Sequence, residues 1–220
     1  MVWVISDIHG MYDQLVMLLR KIDLNDQVIF LGDYIDRGPD SKKVLDLLIA
    51  LKQDRNYIFL MGNHEDMMLD YFDKTNKYME GIWFYNGSSS TLKSFNYNVG
   101  KEYLDFIRDL LLYYELEIKG QKYLYVHAGV KPGKSLNHQD KHDLLWIRDE
   151  FLLMKEQYYD YTIIHGHTPT QFINGEDKIF IKKGINNKII SVDIDTGCVY
   201  GGKLTAFGIS EDNKYIIYQV

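Results

Sequence analysis

Short apolar runs of strand length, rich in β-branched and aromatic residues, recur at 2–5, 28–31, 58–61, 123–126 and 162–164. Each stops at a cluster of Gly, acidic or His residues: SDIHG, GDYIDRG, GNHE, HAG and HGHTP. Between them, apolar residues return at helical spacing over 11–22 (Leu15, Leu18, Leu19, Ile22), 41–52 (Val44, Leu47, Leu48, Leu51), 65–73 and 101–113. Alternation of strand, loop and helix predicts an α/β fold whose polar loops gather at the ends of central strands, where such folds bind ligands. Beyond residue 175 the pattern turns strand-like, over 178–182, 189–194, 198–206 and 214–219, with a Thr-Gly turn at 196–197. The stretch from 66 to 122, with Trp83, Phe84, Asn86-Gly87 and three consecutive Ser, reads as a partly helical excursion. No repeat, low-complexity tract or linker divides the chain, so residues 1–220 are expected to form one domain.

Composition narrows the function. The 220 residues carry 25 Lys+Arg against 31 Asp+Glu, a formal charge of −6, and 46% are hydrophobic, as in an ordinary globular protein. An acidic chain without a basic stripe has no footprint for general nucleic-acid binding, although a few local arginines can still hold phosphate. No apolar run approaches the ~20 residues of a membrane span, so no membrane association is expected. The first chemical motif begins within seven residues of the N-terminus, which leaves no room for a leader, and the single Cys198 cannot form an internal disulfide. Together these predict a cytoplasmic protein. Cys198, after the Thr-Gly turn, is expected to be a small buried hydrophobe.

The polar clusters hold the chemistry. Of seven histidines, five (His9, His64, His127, His165, His167) stand in the strand-end loops. Singly, each cluster has a plainer reading: Asp36 and Arg37 as a surface ion pair, Glu65 and Asp66 as first-turn acids favouring the helix dipole, Arg148 as an exposed partner of Asp149 or Glu150. Taken together, Asp7, His9, Asp33, Asn63, His127 and His167 are six N or O donors from five loops, with no thiolate among them. That donor set suits Mn²⁺, Fe or Zn²⁺ rather than a structural Cys-rich zinc site. Six ligands exceed one tetrahedral site, and the economical arrangement is two ions sharing a carboxylate at ~3.5–4 Å separation.

The motifs DIHG, GDYIDRG, GNHE, HAG and HGHTP in this order resemble the phosphoprotein phosphatase branch of the calcineurin-like metallophosphoesterases. The likeness extends through Trp83-x-x-Asn86-Gly87, Leu145-Trp146-Ile147-Arg148 and Asp193-Ile194-Asp195-Thr196-Gly197 to Gly202-x-Leu204-Thr205, and is greatest to the small bacterial and phage serine/threonine phosphatases. The resemblance implies a layered β-sandwich of two mixed sheets flanked by helices. It implies two divalent ions, Mn²⁺ first with Fe or Zn as alternatives: Asp7 and His9 on one, Asn63, His127 and His167 on the other, Asp33 bridging. A hydroxide held between the ions would attack phosphorus directly. Arg37 and Arg148, with Asn63 and His64, would hold the phosphate; His64 would protonate the leaving oxygen, oriented by Asp36. The family does not use the position of His165 as a ligand, so His165 is expected at the rim or in support. Asn86-Gly87-Ser88 departs from the family's more Gly-rich version of that segment. The implied substrate is a phosphorylated protein or peptide, at serine, threonine and also tyrosine. A symmetrical dinucleoside tetraphosphate hydrolase shares the motifs, and an inactive phosphate-binding scaffold is the third reading.

Overall fold

The computed structural model describes residues 1–75, 77–155, 160–185 and 187–220, with the side chains of all of these but 77, 79 and 80. In chain order the elements are β1 (Val2–Ile5), α1 (Tyr12–Leu19), β2 (Gln27–Phe30), α2 (Ser41–Leu51), β3 (Tyr57–Phe59) and α3 (Asn63–Asp73). There follow α4 (Lys77–Tyr85), α5 (Ser88–Ser94), α6 (Lys101–Arg108), β4 (Tyr113–Ile118), β5 (Gln121–Val126), α7 (Lys141–Trp146) and α8 (Asp149–Leu152). The chain closes with β6 (Tyr161–His165), α9 (Thr170–Asn174), β7 (Phe180–Lys183), β8 (Ile189–Asp193), β9 (Thr205–Ile209) and β10 (Tyr215–Gln219).

The strands form two mixed five-stranded sheets, β10-β9-β1-β2-β3 and β4-β5-β6-β8-β7. Strands β1, β2 and β3 run parallel, as do β5, β6 and β8, while the outer strands β9, β10, β4 and β7 run antiparallel to their neighbours. Period-two alternation then sorts the side chains into three apolar layers. Val4, Ile29 and Leu31 meet Tyr123, Tyr125, Ile164 and Val192 between the sheets. Trp3, Ile5, Val28 and Phe30 face the other way, against Leu15 and Leu18 of α1 and Val44 and Leu48 of α2. Leu124, Val126 and Ile163 pack outward on Leu144 and Phe151. The expected sandwich of two mixed sheets flanked by helices is therefore present.

Several boundaries differ from expectation. The helix anticipated over 101–113 ends at Arg108, because Tyr113–Ile118 alternates polar and apolar residues and pairs antiparallel with β5, from Tyr113 with Val126 to Ile118 with Gln121. The excursion of 66–122 is thus helical only as far as α6, and its last part belongs to the second sheet. The strand expected over 198–206 starts only at Thr205, since Gly197 and Gly201, both at positive φ, enclose a single 3₁₀ turn at Cys198–Tyr200. Strand β3 stops at Phe59, with Leu60 continuing only as a bridge to Leu111. Helix α3 begins two residues earlier than expected, placing Asn63 and His64 in its first turn. Cys198 is buried, as anticipated. Among the described residues, no helix is long and apolar enough to cross a membrane.

Candidate metal centre

The two sets of parallel strands deliver their following loops to a common end of the sandwich. Asp7 and His9 follow β1, Asp33 and Asp36 follow β2, Asn63 and His64 follow β3, His127 follows β5, and His167 follows β6. The backbone there is wound tightly. Of twelve non-glycine residues with positive φ among those described, six are Asp7, His9, Asp33, Asp36, Arg37 and His167. Left-handed conformations cost about 1–3 kcal/mol each and persist where surrounding structure dictates them. Gly62 and Gly166 are demanded by close approach: a Cβ at Gly62 would lie 2.2 Å from Asp33 Oδ1, and one at Gly166 would lie 2.1 Å from Asp7 Oδ2.

Asp33 stands at the centre. Its Oδ2 is 3.4 Å from His9 Nε2 and its Oδ1 is 3.4 Å from His127 Nε2, so the two oxygens face different imidazoles. His9 Nδ1 donates to the Ile35 carbonyl (2.8 Å) and His127 Nδ1 to the Leu31 carbonyl (3.0 Å), which leaves each Nε2 as a lone pair aimed inward. On the His127 side, Asn63 Oδ1 lies 3.0 Å from His127 Nε2 and 3.0 Å from His167 Nδ1. On the other side, Arg37 Nη1 donates to His9 Nε2 at 2.6 Å, so a positive group already meets that lone pair. Ligating atoms of His9, Asp33 and His64 lie within 4.8 Å of one another, as do those of Asp33, His127 and His167. Acceptors that face acceptors in a buried space need a cation between them, so two groups sharing one carboxylate fit two divalent ions. Asp7 stands outside both groups. Its carboxylate accepts the His167 backbone N–H (3.1 Å to Oδ2) and the Ser6 hydroxyl, and faces Asp33 and His127 electrostatically.

Electrostatics agree with this use. Burial holds the His9 and His167 imidazoles well below their ordinary pKa and lowers His127 to about 4, so all three are neutral ligands at pH 7. Burial, then the neighbouring Asp7, pushes Asp33 well above the usual carboxylate range. A cation must therefore displace a proton from Asp33 but from none of these imidazoles. Apparent metal affinity is expected to rise with pH over the range in which Asp33 still holds its proton, by about tenfold per pH unit. Thermal-shift titrations with Mn²⁺ across a pH series measure it, and a flat affinity throughout would mean that Asp33 is already ionised.

His64 is placed differently from the other imidazoles. Its Nδ1 donates to Asp36 Oδ2 at 2.6 Å, while its Nε2, buried and without a hydrogen-bond partner, lies 3.8 Å from Asp33 Oδ2. Burial raises the Asp36 carboxyl to about 7 and lowers the His64 imidazole. Arg37 is half-buried beside this pair. Arg148 is exposed, with Nη1 3.0 Å from Thr168 Oγ1, and acts electrostatically on His64 and His167.

Two expectations change. His165 is not a rim residue: it is 1% exposed, edge-on to Phe151, with Nδ1 3.7 Å from Asp193, because β6 runs on through it in the sheet interior. Glu65 does more than favour a helix dipole. Its buried carboxylate accepts the N–H groups of Asp33 (2.8 Å), Tyr34 (2.8 Å) and Gly62 (3.0 Å), tying the loop after β2 to the start of α3. Its place in GNHE was the available signal, but the partners lie 31 and 32 residues away.

A family model described as calcineurin-like phosphoesterase matches residues 1–201. A bis(5'-nucleosyl)-tetraphosphatase PrpE [asymmetrical] of Oceanobacillus iheyensis is 29% identical over 94% of this chain and 88% of its own. Serine/threonine-protein phosphatase 2 of Salmonella typhimurium is 30% identical over 94% of this chain and 92% of its own. A crystal structure provisionally assigned as a diadenosine tetraphosphatase shares the fold with TM-score 0.71 at 21% identity, covering 99% of this chain and 92% of that one.

Proposed function

The chain belongs to the calcineurin-like phosphoesterases, divalent-metal-dependent hydrolases, and from that premise we propose that it removes phosphate from phosphoserine and phosphothreonine, and also phosphotyrosine, of proteins or peptides. The observation that carries this reading is the His64–Asp36 pair, with Nε2 of His64 unpartnered beside Asp33. A serine or threonine alkoxide is too basic to leave without a proton, whereas a nucleotide phosphate, with pKa of about 6, leaves without one. A buried acid aimed at the cluster is of most use to an alkyl phosphomonoester.

When bound, two divalent ions, Mn²⁺ first with Fe or Zn as alternatives, lower the pKa of water and polarise the phosphoryl oxygens. Asp7 and His9 would hold one, Asn63, His127 and His167 the other, and Asp33 both. Arg37 and Arg148, with Asn63 and His64, would take the non-bridging oxygens, the arginines through forked charge-assisted hydrogen bonds that match the transition state. In its charged form, favoured by the Asp36 carboxylate on Nδ1, His64 would give its Nε2 proton to the departing oxygen and return to the neutral ring, while Asp36 keeps it in register. The reading includes action in the cytoplasm by one catalytic domain of residues 1–220, consistent with the lone buried Cys198.

A second reading, hydrolysis of a dinucleoside tetraphosphate, is favoured by the name of the Oceanobacillus relative and by one feature of the rim. That relative is described as asymmetrical, where the motifs alone suggest symmetrical cleavage. Tyr200, 48% exposed, lies over the Arg37 guanidinium at 5.4 Å, and Phe172, 70% exposed, meets Tyr200 edge-on at 5.9 Å. Exposed rings beside a phosphate-holding arginine can stack a nucleobase. After chelator treatment and return of Mn²⁺, Fe²⁺ or Zn²⁺, phosphopeptides are expected to turn over at least about a hundredfold faster than diadenosine tetraphosphate, the lower end of what a positioned acid is worth. The reverse order would establish the second reading, and no turnover of either with any of the three metals would leave only a phosphate-binding scaffold.

A further inference from the structure

Asp36 is fully buried in a left-handed backbone conformation, and among the described residues the loop that carries it gives its carboxylate no hydrogen bond, only the Gly38 N–H to its carbonyl at 2.7 Å. Donors come from the helical excursion. Trp83 of α4 donates its Nε1–H to Asp36 Oδ2 at 2.8 Å. Thr91 of α5 donates its hydroxyl to Asp36 Oδ1 at 2.6 Å and accepts the Asp36 backbone N–H at 2.8 Å. Both residues are completely buried, and Ser41 Oγ, 3.0 Å from Thr91 Oγ1, also accepts the Asp36 N–H at 3.1 Å. With the His64 Nδ1–H, three donors converge on one carboxylate. This leaves Asp36 no rotational freedom and a single orientation in which to receive the imidazole.

We propose that Trp83 and Thr91 are positioning residues for the acid step: α4 and α5 mount the Asp36 carboxylate so that His64, in its charged form with a proton on each ring nitrogen, keeps Nδ1–H on Asp36 and presents the Nε2 proton to the leaving oxygen. The proposal rests on the phosphatase reading above. Among the described residues neither one hydrogen-bonds a candidate metal ligand, so their influence on the reaction runs through Asp36 and His64. It should grow with the basicity of the leaving group.

The test compares Trp83→Phe and Thr91→Val with the wild-type full chain, reloaded with Mn²⁺, on a phosphoserine peptide and on p-nitrophenyl phosphate. Trp83→Phe keeps the buried ring and Thr91→Val keeps the shape, and thermal melting establishes that each folds. Expected is a fall in kcat of about tenfold to a hundredfold on the phosphoserine peptide and less than about threefold on the aryl phosphate. Thr91→Ser, which retains the hydroxyl, should restore the peptide rate. Equal losses on both substrates, or none on the peptide, would overturn the proposal, because a merely structural role has no reason to respect the leaving group. If Trp83→Phe fails to fold, Thr91→Val and Thr91→Ser decide the matter alone. Wild-type protein that turns over neither substrate refutes the phosphatase reading instead, so the two failures are told apart.

Discussion

Replacing Asp33 by Asn is expected to lower kcat on every phosphoester by about 10³-fold or more, the several kcal/mol that bound metal contributes to the transition state. Bound metal should fall from two ions per chain to one or none. The reason is geometric: Oδ2 faces His9 and Oδ1 faces His127, each at 3.4 Å, and an amide offers only one oxygen and no negative charge. The loop should survive the change, since the backbone N–H groups of Asp33 and Tyr34 are held by Glu65 and not by the Asp33 side chain. Circular dichroism and melting would establish that. Elemental analysis of reloaded protein, together with single-substrate kinetics, then reads the effect. A variant that still binds two ions and keeps activity within tenfold of wild type would remove Asp33 from the shared position.

His64→Asn carries the second largest effect, and its signature is selectivity. On a phosphoserine peptide kcat should drop by about 10²–10⁴-fold, the usual worth of a positioned acid. On p-nitrophenyl phosphate, whose leaving group needs no proton, the drop should be much smaller. Asn can still reach toward Asp36 with an amide N–H, so the hydrogen bond now 2.6 Å long has a partial substitute and the buried carboxylate is not abandoned. An unchanged kcat on both substrates would take His64 out of the chemistry. Equal, large losses on both would instead point to His64 as a metal ligand, a role its membership of the group with His9 and Asp33 makes geometrically available.

The parallel strands and their loops were legible because β-branched runs ending in Gly, Asp or His are local signals, and because ligands spaced along one chain announce themselves by type. What was hidden depends on distance. Nothing near Asp36 in sequence shows that Trp83 and Thr91, 47 and 55 residues later, satisfy its carboxylate. The excursion consequently read only as partly helical, with no sign that it supplies hydrogen-bond donors to Asp36. Glu65 was misread for the same reason: a local explanation existed, the helix dipole, and the nonlocal one requires the fold. Tyr113–Ile118 was lost to a competing period, its alternation swallowed by the helix pattern that precedes it. For His165, expected at the rim or in support, the strand that ends on it carries it inside and excludes the rim.

Strand β1 pairs with β2 on one side, Val2 beside Gln27, and with β9 on the other, Val2 beside Ile209. On synthesis β1, which leads into Asp7 and His9, therefore long precedes β9 and keeps one hydrogen-bonding edge open until β9 is made. His167, too, is among the late arrivals. The candidate ligand set is thus incomplete until His167 is made, and the β1 edge stays open to pairing with other chains until β9 closes it.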